Sequence, residues 1–281
     1  AIGTFLSGNV RAGITKIGAG MLTLSGANTF SGDTKVSAGT LRLGDSLALQ
    51  NSTFDTQTGS VGTLSFGALA NATFGGLQGS NGLALVNEAS GAVALTVGGN
   101  KASTTFSGSL SGTGSSLTKT GTGTLTLSGA TANTYTGTTT VSGGVLVLSK
   151  ASGVTAVPGD LAISNGAKVL FSASGVNEQI ANGAAVTMSG ANSGFNCTGF
   201  NSNFRDITET IGSLDVSGGV FHTGTAPWTV TGSVHFAGEG NTIFLGNSGS
   251  TSHFGSLSLT GMNAASSGNV PNSFNIYGNA S

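Results

Sequence analysis

One segment of this chain occurs twice. Residues 16–43 read KIGAGMLTLSGANTFSGDTKVSAGTLRL, and residues 119–148 read KTGTGTLTLSGATANTYTGTTTVSGGVLVL. Lys16 aligns with Lys119 and Leu43 aligns with Leu148, so the second copy is longer by two residues, which we place near 131–132. A repeated block of short strands punctuated by glycine indicates a stacked, quasi-one-dimensional fold, in which each unit packs on its neighbours.

Apolar and polar residues alternate along most of the chain. The triplets Leu22–Leu24, Leu125–Leu127 and Leu257–Leu259 each place a hydroxyl residue between two leucines. Alternation at period two is typical of half-buried strands, whereas no glycine-free window keeps a helical period over three turns. The same alternation argues against a disordered chain, although 49 glycines and few charges would permit one.

The distance between the alternating segments predicts the fold. Leu41–Leu43 follows Leu22–Leu24 after 19 residues, and Leu146–Leu148 follows Leu125–Leu127 after 21 residues. Such spacings match one coil of a solenoid whose successive coils lie one strand separation apart. We therefore predict an all-β fold, a right-handed parallel β-helix (β-solenoid) with coils of about 20 residues.

The repeat also predicts the core and the organisation of the chain. We expect one continuous solenoid over residues 1–281, with two clear repeat copies within 14–150 and looser coils with inserted loops over 151–281. Ser174–Gly183 and Phe195–Asp206 are the predicted loops. The inward leucines that define the repeat should stack between coils, and these are Leu22, Leu24, Leu41, Leu43, Leu125, Leu127, Leu146 and Leu148.

Charge and composition exclude several classes of function. Only 7% of the residues are charged and the net charge is −1, so no basic patch supports nucleic-acid binding. A near-neutral surface lacks the repulsion that keeps copies apart and favours self-association. No apolar run has the length of a membrane helix. The N-terminus lacks a signal-peptide pattern, so the signal was removed or the sequence is a fragment.

Few residues could carry metal or redox chemistry. The three histidines, His222, His235 and His253, do not have the spacing of a zinc site, and we interpret them as isolated outward side chains. Cys197 is the single cysteine, either a small buried side chain or half of an intermolecular disulfide. We therefore expect no metal and no cofactor.

One acidic cluster raises the question of catalysis. Asp206, Glu209 and Asp215 lie close together in sequence, with Arg205 beside them. Two carboxyl groups at a suitable separation could act as acid and base on a polysaccharide. A solvated loop is the simpler interpretation, because the chain has one Trp and two Tyr to form sugar-stacking platforms. We expect no enzymatic activity.

The repeat resembles the autotransporter-associated β-strand repeat, also called the passenger-associated transport repeat. Its pattern of Lys-x-Gly-x-Gly-x-Leu-x-Leu-x-Gly, an aromatic residue, Gly, Thr, Val, Gly and Leu-x-Leu is filled from Lys119 to Leu148 and again from Lys16 to Leu43, with a departure at Lys35. The resemblance implies a β-helical passenger or surface protein, extracellular or on the outer surface of a Gram-negative bacterium. It implies no catalytic residues.

These observations favour a non-enzymatic extracellular structural protein. We expect it to self-associate, laterally or end to end, into a fibre, sheath or surface layer, because open strand edges at the two ends can stack. The apolar residues expected at that contact are Phe5, Leu6, Phe274, Ile276 and Tyr277. The alternative is a monomeric adhesin that binds cell-surface glycans, and a polysaccharide-degrading enzyme is a third hypothesis.

Overall fold

Short strands make up nearly all the regular structure of the chain. The computed structural model describes residues 11–57, 61–196, 205–223, 226 and 228–237, together with the strands at 242–245, 253–260 and 273–276. No helix in this part of the chain could cross a membrane. Its strands are β1 Ile14–Lys16, β2 Met21–Leu24, β3 Thr34–Val36, β4 Thr40–Leu43, β5 Leu49–Thr56, β6 Thr63–Ser65, β7 Asn71–Gly79, β8 Leu83–Ala84, β9 Ala94–Val97, β10 Thr104–Phe106, β11 Leu110–Ser111, β12 Ser116–Lys119, β13 Thr124–Gly129, β14 Thr139–Val141, β15 Val145–Lys150, β16 Leu161–Ile163, β17 Lys168–Phe171, β18 Ala185–Met188, β19 Gly194–Phe195, β20 Glu209–Ile211, β21 Ser213–Val216, β22 Val220–His222, β23 Trp228–Ala237, β24 Thr242–Leu245, β25 His253–Thr260 and β26 Ser273–Ile276.

The strands pair in parallel and form three columns along one axis. Column 1 runs through β1, β3, the ends of β5 and β7, β10, β13, β15, β17, β19, β22, β24 and β26. Column 2 runs through the start of β7, β9, β12, β14, β16, β18, β21 and the ends of β23 and β25. Column 3 consists of separate groups, β2–β4–β6, β8–β11 and β20 with the starts of β23 and β25.

This arrangement confirms the all-β parallel solenoid, with coils slightly longer than predicted. Leu95 pairs with Leu117, and Leu117 pairs with Thr139, each 22 positions further on. Longer loops lengthen the later coils, since Val186 pairs with Leu214, 28 positions away. The predicted value of about 20 came from the first repeat copy, which is shorter than the coils that follow it.

The interior is a continuous apolar stack. Leu, Val, Ile and Phe side chains from the three columns form a single cluster. In the second half of the chain aromatic rings fill the interior, where Phe195 stacks on Phe221 at 4.8 Å between centroids and meets Trp228 edge-on at 5.4 Å. These rings replace the leucines of the first half, so the looser second half still has a packed core.

The two repeat copies lie on different columns. In the first copy, β1 and β3 lie on column 1 and β2 and β4 on column 3. In the second copy, β12 and β14 lie on column 2 and β13 and β15 on column 1. The lysines that open the copies are 103 residues apart, which is about four and two-thirds coils of 22 residues. The second copy is therefore rotated by about one third of a turn about the axis.

The predicted loops have different outcomes. Within Ser174–Gly183, Gln179 and Ile180 are buried and join column 3 through the parallel bridge from Val157 to Ile180. The prediction of a plain loop there is wrong. Most of Phe195–Asp206 lies outside the described residues, as does Cys197. The prediction of one continuous solenoid over the whole chain stays a prediction.

Candidate functional site

The lysine that opens the first repeat copy is buried. Lys16 has 8% of its surface exposed, and its Nζ donates to three backbone carbonyls, those of Ile17, Gly18 and Ala38, at 3.0, 2.7 and 3.1 Å. The first two carbonyls belong to its own corner and the third belongs to the next coil. The ammonium therefore ties two coils together at the corner where the chain leaves the strand.

The lysine of the second copy has the same environment. Lys119 is 1% exposed, and its Nζ donates to the carbonyls of Thr120, Gly121 and Gly143 at 2.6, 3.1 and 3.2 Å. These three positions align one by one with the three acceptors of the first copy. We call this arrangement the lysine cage. It explains why the repeat begins with lysine.

A third caged lysine follows the second copy. Lys150 is 1% exposed and donates to the carbonyls of Gly108, Ser128 and Thr131 at 3.1, 2.9 and 2.7 Å. None of the ion pairs among the described residues involves a caged lysine. Burial without a carboxylate disfavours the charged form, and it lowers the pKa of Lys119 and of Lys150 to about 8.

A glycine lies against each repeat corner. Gly144 has a φ of 63°, and a Cβ there would collide with the carbonyl oxygens of Gly121 and Gly123 in the preceding coil. Gly39, at the matching position of the first copy, has a φ of 68° and the same close approach to the backbone. Only glycine suits both the left-handed conformation and the contact between coils. The glycine spacing of the repeat is therefore a packing requirement.

The structure does not bring the predicted acidic cluster together. Glu209 is fully buried on column 3, where its two carboxyl oxygens accept from the backbone N–H groups of Gln179 and Ile180 at 2.6 and 3.2 Å. Burial raises the pKa of Glu209 to about 8. Asp215 lies on the outer face of column 2 and pairs with His235. The described geometry does not form an acid–base pair of carboxylates.

Glu209 belongs instead to a series of side chains that bind the backbone of the preceding coil. Asn133 accepts from the N–H of Leu110 at 2.9 Å, and Gln179 accepts from the N–H of Lys150 at 2.9 Å. All three side chains lie on column 3, where regular strands are few. They satisfy backbone donors that a strand ladder would otherwise satisfy. Their role is structural.

The three predicted histidines lie on three different columns. His222 is on β22 in column 1, His235 is on β23 in column 2 and His253 is at the start of β25 in column 3. His222 is buried, which corrects its prediction as an outward residue, and burial lowers its pKa to about 4. The described residues contain no group of three or more metal-ligating side chains.

The residues predicted for the core and for the ends have the following places. Of the eight repeat leucines, seven are buried and Leu22 is partly buried against the core. Phe274 and Ile276 lie in β26, where they pair with Ile243 and Leu245. Phe5, Leu6 and Tyr277 lie outside the described residues.

Charged side chains on the surface of the early coils bind one another. Lys35, the departure from the repeat, lies 3.3 Å from the carboxylate of Asp55 on the next coil. Arg42 forms a two-point ion pair with Glu88 at 2.8 and 3.0 Å. The Arg42 guanidinium holds the pKa of the Glu88 carboxyl below its usual value. These groups act as clasps between coils.

The outer face of column 2 carries two rows of hydroxyl groups. Row 1 is at the strand centres, where Thr73 pairs with Thr96, Thr96 with Thr118 and Thr118 with Thr140. Row 2 is two residues further along each strand and has one member per coil. Its backbone N–H groups each donate to the preceding coil, and its members are Thr120, Ser142, Ser164, Ser189 and Ser217. We call the two rows the hydroxyl face.

Comparison with known proteins identifies the repeat. Residues 14–43 and 117–148 match the family model of the passenger-associated-transport-repeat. No curated protein and no solved structure matches the chain. The chain is thus a β-solenoid with two passenger-associated transport repeats. The repeat and the solenoid together fit an autotransporter passenger repeat protein, a class whose members are secreted or surface-exposed in Gram-negative bacteria.

Proposed function

We propose that this chain is a non-enzymatic structural part of an extracellular protein, and that copies associate end to end into a fibre, sheath or surface layer. The observation that carries the proposal is column 1, in which parallel pairing continues from β1 to β26 without a change of direction. A further copy could continue the same pairing at either end. Head-to-tail contacts of this kind do not close and therefore give filaments.

The fate of the ionisable side chains supports a structural role. The caged lysines and Glu209 bind the backbone inside the solenoid, and Lys35 and Arg42 pair with carboxylates between coils. The described geometry holds these groups in structural contacts, so they are poor candidates for reaction with a substrate. The small net charge lowers the electrostatic barrier to association.

Electron microscopy of the purified chain tests the proposal. We expect filaments one solenoid wide, whose mean length grows with protein concentration. The double variant Phe274→Asp/Ile276→Asp should shorten them by charging the end strand, whereas Thr126→Asp on a lateral face should not. Short rods of one length at every concentration would refute end-to-end association.

The hydroxyl face favours a second candidate function, a glycan-binding adhesin. It presents an uncharged polar surface along several coils, and such a surface can bind sugars through hydrogen bonds. Binding of the chain to a glycan array would support this function. If deletion of residues 197–204 removed that binding, specificity would lie in the loop rather than on the face.

A further inference from the structure

We propose that the hydroxyl face of column 2 binds a neutral, linear, extended polysaccharide that runs along the solenoid axis. The proposal deepens the second candidate function, the adhesin, and does not depend on polymerisation. It rests on the order of the face, its lack of charge, its free hydroxyl groups and its size.

The first argument is order. Each coil contributes one hydroxyl group to row 1 from Thr73 to Thr140, and the row resumes at Thr187 after Ala162. Parallel strands place these groups about 4.8 Å apart along a straight line. A partner can bind such a row at every coil only if its own groups repeat along a straight line. A polymer of identical sugar units in an extended conformation has that property.

The second argument is the chemistry of the hydroxyl groups. Among the hydrogen bonds of the described residues, none involves the side chains of Thr73, Thr96, Thr118 or Thr140, and all four are partly exposed. A threonine hydroxyl donates one hydrogen bond and accepts two, as a sugar hydroxyl does. Row 2 is weakly engaged, since Thr120 Oγ1 donates to the Val97 carbonyl at 3.3 Å. Both rows can therefore bind a polyhydroxylated ligand.

The third argument is charge. The two rows contain no ionisable side chain before Asp215, which occupies the row 1 position after Thr187 and pairs with His235. Acidic polysaccharides and nucleic acids need cationic partners, which this face does not provide. The ligand is therefore neutral.

The fourth argument is size. The face spans six coil spacings from Thr73 to Asp215, which is about 29 Å, and its two rows with their margins are about 10 Å wide. Its area of roughly 300 Å² is far below the approximately 800 Å² per partner of a stable protein interface. A single polysaccharide chain, long and narrow, fits this shape better than a second copy of the protein.

Column 1 provides a matched comparison. At the same strand-centre position its outward residues change from Thr105 and Thr126 to Val147 and Leu170. Thr126 and Thr118 lie in consecutive strands, and both are partly exposed. A substitution at Thr126 therefore has the same local effect on a strand as one at Thr118, but it is on a different face.

The test is retention of the full chain by neutral linear polysaccharides. We would use cellulose, chitin and β-mannan as solid probes, cellobiose and cellohexaose as soluble ones, and polygalacturonate as the acidic comparison. We expect binding to at least one neutral polymer and stronger binding of cellohexaose than of cellobiose, because many weak contacts must act together. Thr118→Lys should weaken binding at least ten-fold, and Thr126→Lys should leave it unchanged.

Isosteric variants cover the case in which lysine disturbs the fold. Thr96→Val/Thr118→Val/Thr140→Val removes hydroxyl groups and keeps the shape, with Thr105→Val/Thr126→Val as its control, and only the first should lose binding. The proposal is overturned if no neutral polysaccharide binds, if the controls lose as much binding, or if polygalacturonate binds better. Inhibition of ice recrystallisation without glycan binding would assign the face to ice instead. None of these results bears on filament formation, which microscopy measures separately.

Discussion

At the scale of single residues, the lysine cage is the feature that most clearly distinguishes this repeat. The sequence shows a lysine at the start of both copies, which marks the position as special. It does not show the reason, because the third acceptor lies in the next coil, at Ala38 for Lys16 and at Gly143 for Lys119. That contact exists only once the coils stack. Local patterns therefore predicted the position but not the chemistry.

Removing the amine of Lys119 should destabilise the solenoid. Lys119→Met keeps the length of the side chain but leaves three backbone carbonyls without their donor. We expect the free energy of unfolding to fall by about 1–3 kcal/mol, measured by chemical denaturation. Lys168→Met is the control, since Lys168 makes one long bond of 3.4 Å to Asn192. Equal losses in the two variants would contradict a structural role for the cage.

The buried titratable groups predict an unusual dependence of stability on pH. The pKa of Glu209 is about 8 in the folded chain, above its ordinary 4.5, so its contribution to stability is complete below pH 4.5 and is lost as pH rises to 8. The pKa values of Lys119 and Lys150 are about 8, below 10.5, so their contribution is present above pH 10.5 and is lost as pH falls to 8. We expect the melting temperature to pass through a minimum near pH 8.

The variant Glu209→Gln separates these contributions. Its glutamine cannot ionise, so the decline in melting temperature between pH 4.5 and 8 should flatten, while the rise above pH 8 should remain. A melting temperature that rises steadily from pH 5 to 8 in the unmodified chain would show that Glu209 is not the buried group described above.

At the scale of strands and corners, the sequence predicted columns 1 and 2 well and column 3 poorly. The alternating segments at Leu161–Ile163 and Leu214–Val216 are strands as predicted. Column 3 escaped notice because much of its backbone is bound by side chains rather than by neighbouring strands, as at Asn133 and Gln179. Such residues carry no alternating pattern, and their stretch of sequence resembles a loop.

The repeat glycines allow a direct test of packing at the corners. Gly144→Ala combines a positive φ with a collision against Gly121 and Gly123, so we expect a loss of more than about 3 kcal/mol in unfolding free energy. Gly153→Ala is the control, because Gly153 has a φ of 77° and no atom near its absent Cβ, and we expect about 1–2 kcal/mol there. Similar losses at both sites, measured by urea denaturation, would mean that conformation rather than close packing selects the glycine.

At the scale of the whole molecule, the two repeat copies are related by a rotation as well as a translation. The same sequence builds columns 1 and 3 in the first copy and columns 2 and 1 in the second. The three corners of the coil are therefore equivalent enough for one repeat to form at more than one of them. The sequence contains the separation of 103 residues, but its meaning requires the coil length of 22, which only the strand register supplies.

Disulfide cross-linking tests the stacking of coils most directly. In a Cys197→Ser background, Thr96→Cys/Thr118→Cys and Thr118→Cys/Thr140→Cys join positions on adjacent coils, which are paired directly and lie about 4.8 Å apart, within disulfide range. Thr96→Cys/Thr140→Cys spans two coils, about 10 Å, and should not link. We predict efficient oxidation of both adjacent pairs and none of the third. Failure of both adjacent pairs, or equal linking of the third, would contradict the solenoid register.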